Sequence, residues 1–170
     1  MKKLILFGIA TALLAPLSFA VEAVVAVHGT ISKIDSGAKT IVVKTGDGAE
    51  HTFRFVAKTT VHGTEAGAKD TFHGLKEGSE VVAHYTAKGT ENTAVEVDKL
   101  GKDGLKAVDG TVSDIKEGGK EVVVKSADGT EQAFKMAATE TGKGAEKSAK
   151  VTVYYTETAG KKVAHFFEKH

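Results

Sequence analysis

The chain holds no cysteine and no tryptophan, one proline and two methionines, and Arg54 is the sole arginine among 23 basic residues. Without cysteine there is no disulfide, no thiolate metal ligand and no sulfur nucleophile, so stability must come from core packing and sheet closure. Met1 opens the chain and Met136 reads as core, which leaves no thioether set for Cu(I). A formal net charge of +1 with one arginine lacks the basic footprint of a nucleic-acid binder. There is no Gly-x-Ser-x-Gly elbow, no phosphate-cradling glycine loop, no His-Glu-x-x-His, and no histidine paired with a candidate nucleophile. Catalysis is not expected.

What is present begins with a leader. Lys2 and Lys3 precede an apolar run from Leu4 to Leu17, and Ser18-Phe19-Ala20 offers small residues at the positions a signal peptidase reads. The run is shorter than the roughly 20 residues a membrane helix needs, and Pro16 interrupts it. Residues 1–20 are therefore expected to be a cleaved signal peptide. The mature protein is expected in the periplasm or outside the cell, with no transmembrane segment and no nucleic-acid partner. Loss of the two lysines takes the net charge from +1 to −1 (+1 − 2).

The remainder is a repeat. The 32 residues from Ala26 align without a gap with those from Ala107, and about half of the positions are identical. Farther on, GLKEGSEVVAHYT from Gly74 aligns with GAEKSAKVTVYYT from Gly144, the second copy lacking about eleven residues around Gly63–His73. Leu100-Gly101-Lys102-Asp103-Gly104 joins the copies. The expected units are residues 21–100 and 105–170.

Period-two alternation in each copy predicts five short strands with glycine-rich turns. Inward faces are Val27, Gly29 and Ile31; Ile41 and Val43; Phe53 and Phe55; Val81, Ala83 and Tyr85; and a last strand near Ala94–Val97. Asp47-Gly48 and Asp128-Gly129 predict hairpins, both residue types tolerating positive φ. The run V-x-G-T-[IV]-x-x-I on Val27, Gly29, Thr30, Ile31 and Ile34, followed by Leu75, Gly78 and Val81, resembles exported bacterial small β-barrel domains of unknown function. That resemblance implies an OB-like, five-stranded, partly open barrel, here in tandem. In the second copy Ala145 and Ser148 replace Leu75 and Gly78, which sets apart the turn before its fourth strand.

Histidine is the most suggestive residue. The first copy carries His28, His51, His62, His73 and His84, where the second has Asp109, Gln132, Lys143, a deletion and Tyr154. The fold thus does not require them, and neutral imidazole is the commonest transition-metal ligand. His28 and His84 are expected to point outward from neighbouring strands. His28, His51 and His84 are the candidate copper or zinc ligands, whereas His165 and His170 read as surface histidines. On the ligand face of an OB barrel, Lys44 with Arg54 and Lys125 with Lys135 form a candidate anion patch, without the aromatic platforms on which bases stack. The main functional expectation is a non-enzymatic envelope protein, a tandem binding or interaction module without cofactor, acting on another envelope protein or a small ligand. The alternative is a periplasmic copper- or zinc-binding protein using the first copy's histidines.

Overall fold

Strand-forming residues at alternate positions, punctuated by glycine, produce eleven strands in the computed structural model, which describes residues 23–65, 67–137 and 145–170. The expected leader, Lys143 and Gly144 lie outside the described residues. The first copy contains β1 (Val25–Asp35), β2 (Thr40–Lys44), β3 (Glu50–Arg54), β4 (Thr60–His62), β5 (Glu80–Lys88) and β6 (Glu91–Lys99). The second contains β7 (Lys106–Lys116), β8 (Glu121–Lys125), β9 (Glu131–Met136), β10 (Lys150–Thr158) and β11 (Lys161–Lys169).

Both copies are wound alike. Antiparallel ladders join β2–β1–β5–β6 and β2–β3, and a short parallel joint, Phe53↔Asn92 and Arg54↔Thr93, brings β3 to β6. The counterpart joint pairs Val163 with Lys135 and Ala164 with Met136. This is the five-stranded Greek-key order of an OB barrel. The second copy is a closed barrel rather than a partly open one, and the first is a more open ring. The first also departs from five strands: β4 runs parallel along β6 through Thr60↔Glu96, Val61↔Val97 and His62↔Asp98. No run of alternating apolar residues marks so short a strand, and β6 recruits it by offering free backbone groups beyond its joint with β3.

The glycine of the repeated motif has a steric reason. A Cβ on Gly29 would lie 2.4 Å from the Lys44 carbonyl oxygen, and one on Gly110 would lie 2.7 Å from that of Lys125. Just beyond, β1 and β7 each carry a bulge, at Ser32 and Ser113, which bends the strand from one side of the barrel to the other. The hairpins at Asp47-Gly48 and Asp128-Gly129 form, but only the glycines take positive φ, +86° in both. Each Asp instead turns its carboxylate back onto the loop, accepting from the Ala49 or Thr130 amide.

Each barrel has its own core. Ile31, Ile41, Val43, Phe53, Phe55, Val81, Ala83, Ala94 and Val97 fill the first; Val112, Val122, Val124, Phe134, Val151, Val153, Tyr155, Ala164 and Phe167 fill the second. The segment special to the first copy contributes to its core. Phe72 is buried edge-on against Phe55, ring centroids 5.0 Å apart, beside buried Leu75. The second copy closes the same region with Met136 and Ala145.

A third apolar cluster lies between the barrels: Val82, Leu105 and Tyr154, flanked by Ala26, Leu100 and Phe166. The outer face of β1, β5 and β6 thus packs on the corresponding face of β10 and β11. The link is not a loose tether. Leu105 donates its amide to Lys99, Gly104 donates to Gly101, and a Cβ on Gly63 would meet the Gly104 Cα at 2.7 Å. That close approach ties the residue after His62 to the inter-barrel turn.

Candidate metal centre

The centre is built on β6. Its bulge against β5, between His84 and Tyr85, leaves Val95 as the extra residue and puts Glu96 and Asp98 on the outer face. There they are covered by the second barrel, with side chains 12% and 2% exposed. Two carboxylates desolvated side by side are costly unless paired or ligated. β4 brings His62 opposite Asp98, so that its Nδ1 lies 2.9 Å from Asp98 Oδ1 and 3.3 Å from Glu96 Oε1. One ligand atom from each of His62, Glu96 and Asp98 falls within 4.8 Å of the others, which is the one such three-residue group among the described residues.

Two more histidines adjoin it. His84, wholly buried on β5, places Nε2 3.9 Å from Asp98 Oδ2. His165 of β11 places Nδ1 3.2 Å from the same oxygen and 3.7 Å from Glu96 Oε1. Burial lowers the His84 imidazole below its usual range, against the pull of Asp98 and Glu96. Burial also acts on His165, but the close carboxylates of Asp98 and Glu96 outweigh it and lift that imidazole to about 9. For Asp98 burial pushes upward, and polar contacts with His165 and His62 prevail to hold the carboxyl below its ordinary value.

The other sequence candidates are dispersed. His84 does face outward, yet it is sealed in the seam rather than exposed. It pairs across the ladder with Ala26, while His28 pairs with Val82, so the two imidazoles are offset by two residues. His28 instead joins a network with Tyr154, its Nε2 2.9 Å from Glu80 and its Nδ1 2.9 Å from the Tyr154 hydroxyl, stacked on the Tyr154 ring at 4.5 Å. The Tyr154 hydroxyl also donates to Glu168 at 2.6 Å, and burial, with that carboxylate, raises its pKa. His51 lies on β3 over Phe53 and borders an open cleft of about 530 Å³ with His28, Glu168 and His170. His73 borders a second cleft, of about 340 Å³, with His62 and Glu65.

Nor are the cationic pairs brought together. Lys44 faces Glu50 at one end of the β2–β3 ladder and Arg54 faces Thr40 at the other, four residues and roughly 13 Å along the strands. Arg54 is moreover in an ion pair with Glu91 at 2.8 Å. Lys125 and Lys135 stand in the same way opposite Glu131 and Glu121.

Sequence reasoning passed over Glu96 and Asp98 and read His165 as a surface histidine, whereas its side chain is only 14% exposed and faces Asp98. The readable signal was a contrast between copies: Glu96 and Asp98 on the face where the second copy has Phe166 and Glu168. His165 was hidden because it is the extra residue of the β10–β11 bulge, between Tyr154↔Phe166 and Tyr155↔Ala164. A bulge re-aims the side chain it inserts, and simple alternation cannot show that.

Fold and site together define a tandem OB-type all-β architecture with a histidine–carboxylate cluster between its barrels. No family model matches the chain, and no curated protein does. Solved structures similar to it include Ag(I)CusF, with 15% identity over 45% of this chain and 97% of that one, TM-score 0.35. A tryptophan-to-alanine variant of CusF from Escherichia coli with Cu(II) shows 17% identity over 48% and 98%, TM-score 0.37. Drosophila Unr (CSD456) shows 14% identity over 86% of this chain and 61% of that one, TM-score 0.35. None of these likenesses speaks to what this chain binds.

Proposed function

We propose that the protein is an exported, non-enzymatic binding protein of the periplasm or extracellular space, whose ligand is a divalent transition-metal ion of the Zn(II) or Cu(II) kind. The observation that carries this is the convergence of His62, Glu96 and Asp98 on one point. Bonds of 2.0–2.1 Å in a tetrahedron put neighbouring ligand atoms about 3.3 Å apart. The His62 contacts of 2.9 and 3.3 Å lie near that edge, and all three ligand atoms fall within 4.8 Å of one another. Imidazole and carboxylate without sulfur select Zn(II) or Cu(II) over Cu(I). Paired carboxylates on adjacent outward positions of β6 also supply the negative charge that a dication balances.

Calorimetric titration of the mature chain with Zn(II) and Cu(II) tests this. One ion should bind in the micromolar range or tighter, and His62→Ala and Asp98→Asn should each weaken binding at least about tenfold, some 1.4 kcal/mol. Binding no tighter than millimolar, or equal binding by all three proteins, overturns it.

A further inference from the structure

Four buried polar atoms in the seam have no hydrogen-bond partner in the protein: both ring nitrogens of His84, Asp98 Oδ2 and His165 Nδ1. They are neighbours. His165 Nδ1 lies 3.2 Å from Asp98 Oδ2 without forming a hydrogen bond, and His84 Nε2, at 3.9 Å, is beyond hydrogen-bond reach of the same oxygen. Asp98 therefore presents one oxygen to His62 at the rim and the other to two imidazoles inside. Native interiors satisfy nearly all such groups, so this cluster calls for further polar partners, ordered water or an ion among them. The apolar cluster of Val82, Leu105, Tyr154 and Phe166 lies in the same seam.

We propose that the ion is held from both barrels, with His165 of the second completing the set of His62, Glu96 and Asp98, so that loading it locks the two barrels together. This rests on the metal reading above and adds which residues, and which second unit, take part. The resulting two-nitrogen, two-oxygen set suits Zn(II) or Cu(II). His165 can reach the site only through its bulge; the corresponding bulge residue of the first barrel is Val95. His84 acts as a positioning residue behind Asp98, its Nε2 facing the oxygen that His165 shares.

The test uses the full mature chain, His165→Ala, His165→Gln and His62→Ala, with folding checked by circular dichroism. Zn(II) affinity should fall about tenfold or more in both His165 variants. Co(II) should give the wild type an intense visible band that both variants lose. Zn(II) should also slow tryptic cleavage at Lys102, in the turn between barrels, for the wild type and not for the His165 variants. A His165 that merely packs the seam would alter cleavage of the metal-free protein and leave affinity and spectrum intact. If both His165 variants bind Zn(II) as the wild type does while His62→Ala fails, the ion belongs to the first barrel alone; the two-barrel inference falls and the metal function stands. Absence of Zn(II), Cu(II) and Co(II) binding by the wild type overturns both.

Discussion

The two barrels share a frame and differ at its openings. At corresponding places on the outer face, the first carries His28, His84, Glu96 and Asp98, and the second carries Asp109, Tyr154, Phe166 and Glu168. The second uses its aromatic pair, Tyr154 and Phe166, stacked at 5.9 Å, as an apolar lid. Over part of that interface the first presents charges and imidazoles. What both retain is mechanical: the crossing glycine, the serine bulge and the parallel joint. A duplicated barrel can thus keep the residues that close it and change those on a face that its twin will cover.

The largest expected break in this comparison concerns the segment found in one copy only. Phe72→Ala removes a buried ring packed edge-on against Phe55 and should cost about 3–5 kcal/mol of stability in the first barrel, with the second barrel's unfolding unchanged. Separate chemical-denaturation probes near Tyr85 and Tyr155 would read the two. Equal losses in both barrels would show that they unfold as one unit.

A smaller effect tests the turn before β5 and β10. Gly78 and Ser148 occupy the same left-handed position, φ +84° and +69°, and both donate their amides back to β1 or β7 at 2.8 Å. The turn therefore survives the substitution, and the serine bears the strain. Ser148→Gly should stabilise the chain by about 1 kcal/mol and Gly78→Ser should destabilise it by about as much. Equal melting temperatures for the wild type and Ser148→Gly would contradict this account.

The smallest effect is expected on the β2–β3 face. Arg54 and Glu91 are both more than half exposed, so their pair contributes only about 0.2–1 kcal/mol. Arg54→Ala should shift the melting midpoint by a few degrees at most. A larger loss in Arg54→Ala than in Lys135→Ala would give that pair a role beyond surface solubility.

Much of the fold was legible in the sequence because strand alternation and internal repetition are local signals. Ile41, Val43 and Phe53 alternate with polar neighbours, and their counterparts Val122, Val124 and Phe134 repeat the pattern. The site was legible only in kind. The histidine surplus of the first copy pointed to imidazole chemistry, but which imidazoles meet depends on two bulges, a three-residue strand and the packing of one barrel on the other. None of these leaves a periodic trace. His62 meets Asp98 because β4 pairs with β6 across 36 residues, and His165 meets it through a contact between copies.

The seam also bears on growth by repetition. Solenoids lengthen because each unit offers one face forward and a different one back. Here the two units spend corresponding faces on each other: Val82 and Ala26 from one, Tyr154 and Phe166 from the other. Among the described residues, the face that each unit uses in the seam is covered by the other. The duplication is thus a face-to-face pairing of two units rather than a head-to-tail stacking.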